Sequence, residues 1–206
     1  MRRLSLTLFA GILFLTACSN PKTPNDDNFR KAINQYLQAH GQACTWIGQG
    51  FPVDISETRL NSGFGIDSKM AVLERAGLVQ STAAVVRVPE VFGPSIQRHV
   101  RRYQPTNAGK QYLQQTQAAL GQTAGFCYGT KAVDSIVKWT QPAVIGPATQ
   151  SEVTYTYTIT NLAPWAQRPD IQDQFGDIRT TIAGISKANE LAGLQLTNRG
   201  WEVPIP

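Results

Sequence analysis

One segment in the second half of the chain constrains the fold more than any other. Apolar and hydroxyl side chains alternate there without a break, in the order Val153, Thr154, Tyr155, Thr156, Tyr157, Thr158, Ile159. Successive side chains of a β-strand point to opposite faces of its sheet, so this alternation predicts a strand with one apolar face. Such a strand needs neighbours that bury the same face, which favours an antiparallel sheet packed on one side.

The residues around this segment are predicted to supply its partners. Residues 133–139 alternate less cleanly, and one side of this strand carries Val133, Ser135, Val137 and Trp139. Residues 194–196 and 201–203 are predicted as closing strands. Residues 125–206 are therefore expected to form an antiparallel β subdomain that carries short helices, one of them interrupted at Pro169.

The first half, residues 29–120, combines helical spacing with one hairpin pattern. The predicted elements are a helix over residues 27–40, a helix from residue 67 to Gly77, hairpin strands at 78–88 and 96–103, and a helix over 106–118. A glycine-containing loop at residues 121–125 is the expected boundary between the two halves. The predicted fold class is thus α+β, with mostly antiparallel strands.

The beginning of the chain has the organisation of a secretory signal. Two arginines precede an apolar run over residues 4–15, which is too short for an ordinary membrane span. The run ends in Leu15-Thr16-Ala17-Cys18, which resembles the lipobox of bacterial lipoproteins. The resemblance implies cleavage that removes residues 1–17 as a signal peptide. It also implies diacylglycerol on the Cys18 thiol and acylation of the new amino group.

Lipidation would decide where the protein works. One acyl chain holds a protein weakly and several hold it stably, so Cys18 is expected to anchor the chain firmly in a membrane. In sorting of the enterobacterial kind, Ser19 directly after the lipidated residue implies delivery to the outer membrane, where the protein would face the periplasm. Residues 18–28 are polar, contain two prolines and are expected to form a flexible tether.

The charge of the exported part gives no reason to expect nucleic acid as a partner. Removal of residues 1–17, which carry two arginines and no acids, leaves 189 residues and lowers the net charge from +5 to +3. The composition, 42% hydrophobic and 16% charged, is that of a globular chain. Past Leu15 no apolar run approaches the roughly twenty residues that cross a bilayer, so attachment is expected to depend on the lipid.

Export also bears on the remaining cysteines. Lipidation of Cys18 leaves Cys44 and Cys127 in an oxidising compartment, where a free pair tends to form a disulfide. The bond would join the two predicted halves across a loop of about eighty residues. The alternative is a pair of separate, reduced cysteines that pack as small apolar residues.

A second resemblance covers residues 28–117. Residues 73–79 read Leu-Glu-Arg-Ala-Gly-Leu-Val, and after the hairpin residues 103–113 read Tyr-Gln-Pro-Thr-Asn-Ala-Gly-Lys-Gln-Tyr-Leu. A helix that ends in Gly-Leu-Val, a two-stranded wing and a helix restarted at Thr106 resemble a winged-helix domain. The resemblance implies architecture alone, because an exported protein does not meet genomic DNA.

Two small sets of residues are candidate binding sites. The first set is Arg98, Arg101 and Arg102 on the returning hairpin strand. These arginines are expected to protect a strand edge from pairing, with binding of an anionic surface such as lipopolysaccharide or acidic lipid as the alternative. The second set is Trp165 with Arg168, where a tryptophan exposed after a loop would indicate a binding edge.

No constellation for catalysis, cofactor binding or metal binding is recognisable. The two histidines, His40 and His99, lack metal-ligand spacing, and the patterns of nucleophile elbows, phosphate loops and dinucleotide sites are missing. Asp170, Asp173 and Asp177 stand at near-helical spacing, as on a solvated acidic face. We therefore expect no cofactor, no metal and no enzymatic activity.

These features together predict a lipid-anchored protein on the periplasmic face of the outer membrane. Its expected role is that of a non-catalytic module that binds an envelope protein or polymer, without nucleic acid as a partner. Two alternatives stay open. An envelope hydrolase with a dispersed site would need a pocket with two facing carboxylates. A cytoplasmic winged-helix DNA-binding protein would need the signal to be false.

Overall fold

The computed structural model describes residues 20–59, 65–89, 93–118 and 121–205. Its helices are α1 (Asp26–His40), α2 (Ile66–Arg75), α3 (Asn107–Lys110), α4 (Pro169–Gln174) and α5 (Gly176–Ala183). Short 3-10 helices lie at Glu57–Arg59 and Pro164–Gln167. Its strands are β1 (Gln42–Trp46), β2 (Val53–Ser56), β3 (Val79–Val88), β4 (Ile96–Pro105), β5 (Leu113–Ala118), β6 (Gly121–Trp139), β7 (Ala143–Ile145), β8 (Ala148–Thr160), β9 (Asn189–Leu196) and β10 (Trp201–Glu202).

Seven of these strands form one curled antiparallel sheet, in agreement with the predicted α+β class. The order is β1-β6-β8-β9-β10, with β5 paired to β6 and β7 paired to β8. The strand predicted from the strict alternation is confirmed as β8, and its apolar side chains are all buried: Val153, Tyr155, Tyr157 and Ile159. These side chains belong to the main hydrophobic core.

Helix α1 confirms the prediction for residues 27–40 and covers a free edge of the large sheet. Strand β1 stops pairing with β6 at Thr130, so the later backbone of β6 is open on that side. The Arg30 guanidinium donates to the carbonyl oxygen of Asp134 (2.6 Å), and the Asn34 Oδ1 accepts the N–H of Val133 (2.8 Å). Side chains of α1 therefore take the place of a neighbouring strand at this edge.

Three further strands form a small antiparallel sheet in the order β2-β4-β3. The predicted hairpin is confirmed as β3 and β4, which pair without a register shift from Val79–Pro105 to Val88–Ile96. The helix before it, α2, also agrees with the prediction, and Gly77 follows that helix with a φ of 75°. Glycine tolerates this left-handed conformation because it has no Cβ.

The prediction of a third helix over residues 106–118 is wrong in its second half. Helix α3 ends after one turn, and residues 113–118 form β5, which pairs with the first residues of β6. The same pairing turns the predicted loop at 121–125 into the start of β6. Local helix preference amounts to a few tenths of a kcal/mol per residue, so pairing with a neighbouring strand can override it.

The alternation predicted for residues 133–139 fails at Val137. The register of β6 against β8 shifts between Val133 and Ser135 and again between Ile136 and Lys138. An extra residue in one strand reverses the faces of the residues that follow. Ile136 consequently packs against the core, whereas Val137 is 51% exposed.

The described residues of the predicted tether, 20–28, make hydrogen bonds with one another and with the folded domain. The Trp201 Nε1–H donates to the carbonyl oxygen of Lys22 (3.1 Å), and the Asn28 Nδ2 donates to the carbonyls of Asn20 (2.9 Å) and Thr23 (2.8 Å). Asn25 then caps α1 by accepting the N–H of Asn28. The chain is thus fixed several residues before the helix begins.

The capped turn at Thr106 explains why residue 109, in the winged-helix-like segment 103–113, is a glycine. The Thr106 hydroxyl donates to the Gly77 carbonyl (2.6 Å) and accepts the N–H of Gly109 (2.9 Å). A Cβ at Gly109 would lie 1.9 Å from the carbonyl oxygen of Leu78. This close approach of two backbone segments requires glycine.

Replacement of this glycine is expected to destabilise the fold. Gly109→Ala should lower the free energy of unfolding by about 2–3 kcal/mol, because the methyl group must displace the Leu78 backbone. Gly193→Ala is the matched control, since a Cβ there meets no atom within 4 Å. Urea unfolding followed by circular dichroism measures both variants, and equal midpoints would contradict the steric explanation.

Candidate binding surfaces

The disulfide between Cys44 and Cys127 is present, as expected from the sequence. The two residues face each other across β1 and β6 with a Cα–Cα distance of 3.8 Å, within the limit of about 7 Å that a disulfide can span. Both partners belong to the large sheet. The bond therefore ties two adjacent strands together. The third cysteine, the candidate lipidation residue Cys18, lies outside the described residues.

The outer part of the β3–β4 hairpin projects beyond the rest of the small sheet. Strand β2 pairs with β4 only from Val100 to Tyr103, so residues 96–99 have β3 as their single neighbouring strand. Val85 is 54% exposed and Ile96 is 42% exposed. We call residues 82–88 and 96–101 the arm; most of its side chains are exposed, whereas Val100 at its base is buried.

The three predicted arginines have different roles on this hairpin. Arg102 forms two hydrogen bonds of 2.7 Å with Asp54, its register partner on β2, and so ties β2 to β4. β4 is the central strand of the small sheet, which means that Arg101 and Arg102 do not protect an edge. Arg98 lies beyond the end of β2 and is exposed.

The arm is cationic. Its strands β3 and β4 carry Arg87 in addition to the three predicted arginines, and the described residues 79–89 and 93–105 contain no acidic side chain. Among the described residues Arg87 and Arg98 have no ion-pair partner, whereas Asp54 neutralises Arg102. Arg87 was not among the predicted site residues, although it stands within the valine-rich run of residues 85–88.

The arrangement around Trp165 and Arg168 does not form the exposed edge that the sequence analysis required. Trp165 is 6% exposed and stands edge-on to the rings of Tyr112, Phe126 and Tyr128. Within the described residues its Nε1–H has no acceptor. This indole is therefore part of the core and forms one wall of a shallow pocket of about 420 Å³.

Arg168 links two helices. It makes two hydrogen bonds of 3.0 Å with Asp170 and donates to the Arg75 carbonyl (3.2 Å) at the end of α2. Hydrogen bonding by Arg168 holds the pKa of the Asp170 carboxyl below its ordinary value. The positive charge of Arg168 is thus engaged at the contact between α2 and α4.

A groove that the sequence analysis did not anticipate runs between α1 and the C-terminal segment. Two adjoining hollows of about 370 Å³ and 210 Å³ share Ala32, Gln35, Arg199 and Glu202. Arg199 forms an ion pair with Glu202 at 2.9 Å. Only the docking of β10 beside α1 creates this groove, so no local pattern could have predicted it.

A polar network lies between β6, β8 and β9. Lys131 forms an ion pair with Glu190, and the Tyr155 hydroxyl donates to the other carboxylate oxygen at 3.0 Å. Burial and the neighbouring Glu190 raise the pKa of Tyr155, so the phenol stays protonated and can donate. Lys131 also lies 4.4 Å from the ring centre of Tyr157. The charges of Lys131 and Glu190 thus neutralise each other between the strands.

The described pockets give little support to the hydrolase alternative. None of the four pockets brings two carboxylates together: Glu202 lines the groove beside α1, and Glu152 lines a hollow of about 380 Å³ beside β7. Among the described residues, no three His, Cys, Asp or Glu side chains gather as metal ligands. Within the same residues, every helix is too short or too polar to span a bilayer.

Comparison with known proteins gives no relative from which a function could be transferred. No protein-family model matches the chain, and neither curated proteins nor solved structures give a significant match. The surfaces and charges described above are therefore the basis for a functional proposal.

Proposed function

We propose that this protein is a lipid-anchored, non-catalytic binding module on the periplasmic face of the bacterial outer membrane. It binds another envelope component, a protein or a polymer, through the arm. The observation that carries the proposal is the projection of the arm, with exposed Val85 and Ile96 beside Arg87 and Arg98, which have no ion-pair partner among the described residues. Apolar and cationic groups held away from the domain contribute little to its own stability and are available to a partner.

The proposed anchor would hold the domain close to the membrane. Asn20 is the second residue after Cys18 and already belongs to the part that packs against Trp201. Two residues span at most about 7 Å, so the lipid and the folded body would be near neighbours. A partner within the outer membrane or just below it would then be within reach of the arm.

The resemblance to winged-helix domains is retained as a proposal about architecture. The order of α2, the β3–β4 hairpin and the capped turn at Thr106 supports it over residues 66–110. The one-turn length of α3 is a departure from the pattern. Under this proposal the wing serves an envelope partner and not DNA.

The anchor is tested by Cys18→Ala in the bacterial host. Wild-type protein should incorporate a fatty-acid analogue and fractionate with the outer membrane, whereas the variant should lose the label, since the thiol is the proposed attachment point. Gln38→Ala is the control, because Gln38 is exposed on α1 and the variant keeps Cys18, so it should keep the label. Equal acyl labelling of wild type and Cys18→Ala would contradict the anchor.

Binding by the arm is tested with a photoreactive amino acid in intact cells. Placed at Val85, it should give a discrete crosslinked product. Placed at Val144, which is 78% exposed on β7, it should not, although both positions are exposed valines on strands. The product at Val85 should disappear when Arg87 and Arg98 are both replaced by Glu. A pattern that is the same at both positions would contradict specific binding by the arm.

A further inference from the structure

We propose that the outer edge of β3 binds an extended peptide segment of a partner protein, with carboxylates at alternating positions, as a fourth strand of the small sheet. The inference rests on the proposed binding function and adds both the place and the chemistry of recognition. Strand addition of this kind combines main-chain hydrogen bonds with side-chain contacts at every second residue. Three independent features of β3 support it.

The first feature is the direction of the backbone groups of β3. The N–H of Ser81 donates to the Glu74 side chain (3.0 Å), which lies on α2 and not on β4. Ser81 therefore points its backbone groups away from β4. The pairing of β3 with β4 has no register shift, so the residues at every second position after Ser81 do the same. Ala83, Val85 and Arg87 thus present N–H and C=O groups at the outer edge.

The second feature is that residues 81–86 of β3 carry no side chain that would block pairing. Glu74 satisfies the edge only at Ser81, and from there to Val86 the strand contains neither a charged residue nor proline. Among the described elements, β4 and α2 make the most extensive contacts with β3. The open edge of β6, by contrast, is covered by Arg30 and Asn34 of α1. Edges left open and uncharged are templates for another strand.

The third feature is the charge on one face of the arm. Residues directly opposite each other in an antiparallel pair share a face, and Ala83 lies opposite Arg101. Arg101, Val85 and Arg87 therefore lie on the same face. Ala83 is small, so a long side chain on an added strand can reach over it toward Arg101. The face offers two cations on either side of one exposed apolar residue.

This pattern specifies the partner. A residue opposite Arg87 and a residue opposite Ala83 should be acidic, and the residue between them on that face should be apolar to cover Val85. A second copy of this chain fits less well, since residues 82–88 carry Arg87 and no acidic residue that could pair with it. Opposite-charge cross-strand pairs favour pairing, and like-charge pairs oppose it.

The test uses detergent-solubilised full-length protein and a fluorescein-labelled peptide with the sequence Thr-Glu-Thr-Val-Thr-Glu-Thr. Its matched control has lysine in place of both glutamates. Fluorescence anisotropy should show binding of the acidic peptide that is at least about tenfold tighter than that of the lysine peptide. Arg87→Glu should reverse this preference. Arg98→Glu should change it less, because Arg98 lies opposite Val86, on the other face.

The backbone contribution is tested separately. Val85→Pro removes an outward N–H but no hydrogen bond to β4, so the hairpin should persist while acidic-peptide affinity falls by at least about tenfold. Val85→Ala keeps the N–H and should weaken binding less. An acidic peptide N-methylated at its central valine leaves the protein untouched and should also lose binding. This second measurement decides the matter if the proline variant unfolds.

Several results would overturn the inference. Equal affinity for the acidic and the lysine peptide would do so. Equal affinity for the acidic peptide and its N-methylated form would do so as well. Concentration-dependent dimers in sedimentation that Val85→Pro abolishes would assign the edge to a second copy instead. The two proposals can be told apart in cells. If the crosslink at Val85 persists in the Arg87→Glu variant, and the purified protein does not bind the acidic peptide, the proposed function stands and only this inference fails.

Discussion

Removal of the Cys44–Cys127 disulfide is expected to lower the free energy of unfolding by about 4.5 kcal/mol. The two cysteines are 83 residues apart in the sequence, and the bond closes this long loop in the unfolded chain. In the chain-entropy model a loop of this size contributes about 4.5 kcal/mol to stability. Since domains are stable by only about 5–15 kcal/mol, the loss should be visible in every unfolding measurement.

Urea unfolding followed by circular dichroism measures this effect. The double variant Cys44→Ala/Cys127→Ala should unfold at a much lower urea concentration than the oxidised protein. Wild-type protein in reductant serves as the control and should match the double variant, because both lack the crosslink. An unfolding midpoint that does not change with reductant would contradict the stabilising role of the bond.

Phe29→Ala is expected to lower the free energy of unfolding by about 3–5 kcal/mol. Phe29 is fully buried on α1, and its ring stands edge-on to Trp139 (5.3 Å between ring centres) and Trp201 (5.1 Å). These tryptophans belong to β6 and β10, two strands of the large sheet that both contact α1. Loss of the phenyl ring would leave a cavity where the helix meets both strands.

Tryptophan fluorescence and urea unfolding report this change directly. The emission of the folded variant should shift to longer wavelength, because water gains access to the two indoles. Gln38→Ala is the matched control, since Gln38 is exposed on the same helix and should change stability by less than about 0.5 kcal/mol. A Phe29→Ala variant with wild-type stability would contradict the expected contribution of Phe29 to the packing of α1 on the large sheet.

The arm and the large sheet have different physical roles. The large sheet and α1 bury most of the core, and the disulfide ties two of its strands together. The arm is held at its base by the Arg102–Asp54 pair and by the Glu74–Ser81 hydrogen bonds. Substitutions in residues 82–88 should therefore alter binding more than stability, which makes the arm a favourable place for functional tests.

Local periodicity was sufficient to predict those helices and strands whose side-chain pattern is not interrupted by a bulge or overridden by pairing with a distant strand. The alternation around Tyr155 predicted β8, helical spacing predicted α1, and the β-branched run after Gly77 predicted β3. The disulfide followed from a different kind of argument, because the resemblance of Cys18 to a lipobox implied an oxidising compartment. None of these inferences needed to know which segments lie side by side.

The site could be predicted only in part. Arg98, Arg101 and Arg102 were recognised as cations on a hairpin strand, but their pairing was not visible in the sequence. Asp54 on β2 lies 48 residues before Arg102 in the chain and engages its guanidinium. Trp165 was a candidate binding edge only if it were exposed after its loop, and three rings from other segments bury it.

The sequence by itself determined the α+β class, the strand at Val153–Ile159, helix α1, the hairpin and the cysteine pair. Each follows from side-chain pattern or chemistry within a short window. Only the tertiary structure decided that residues 113–118 pair with β6, that Val137 faces solvent, that Lys22 docks on Trp201 and that β3 is an edge. Strand order and register join segments far apart in the chain, and the free energy that selects them comes from contacts no local pattern contains.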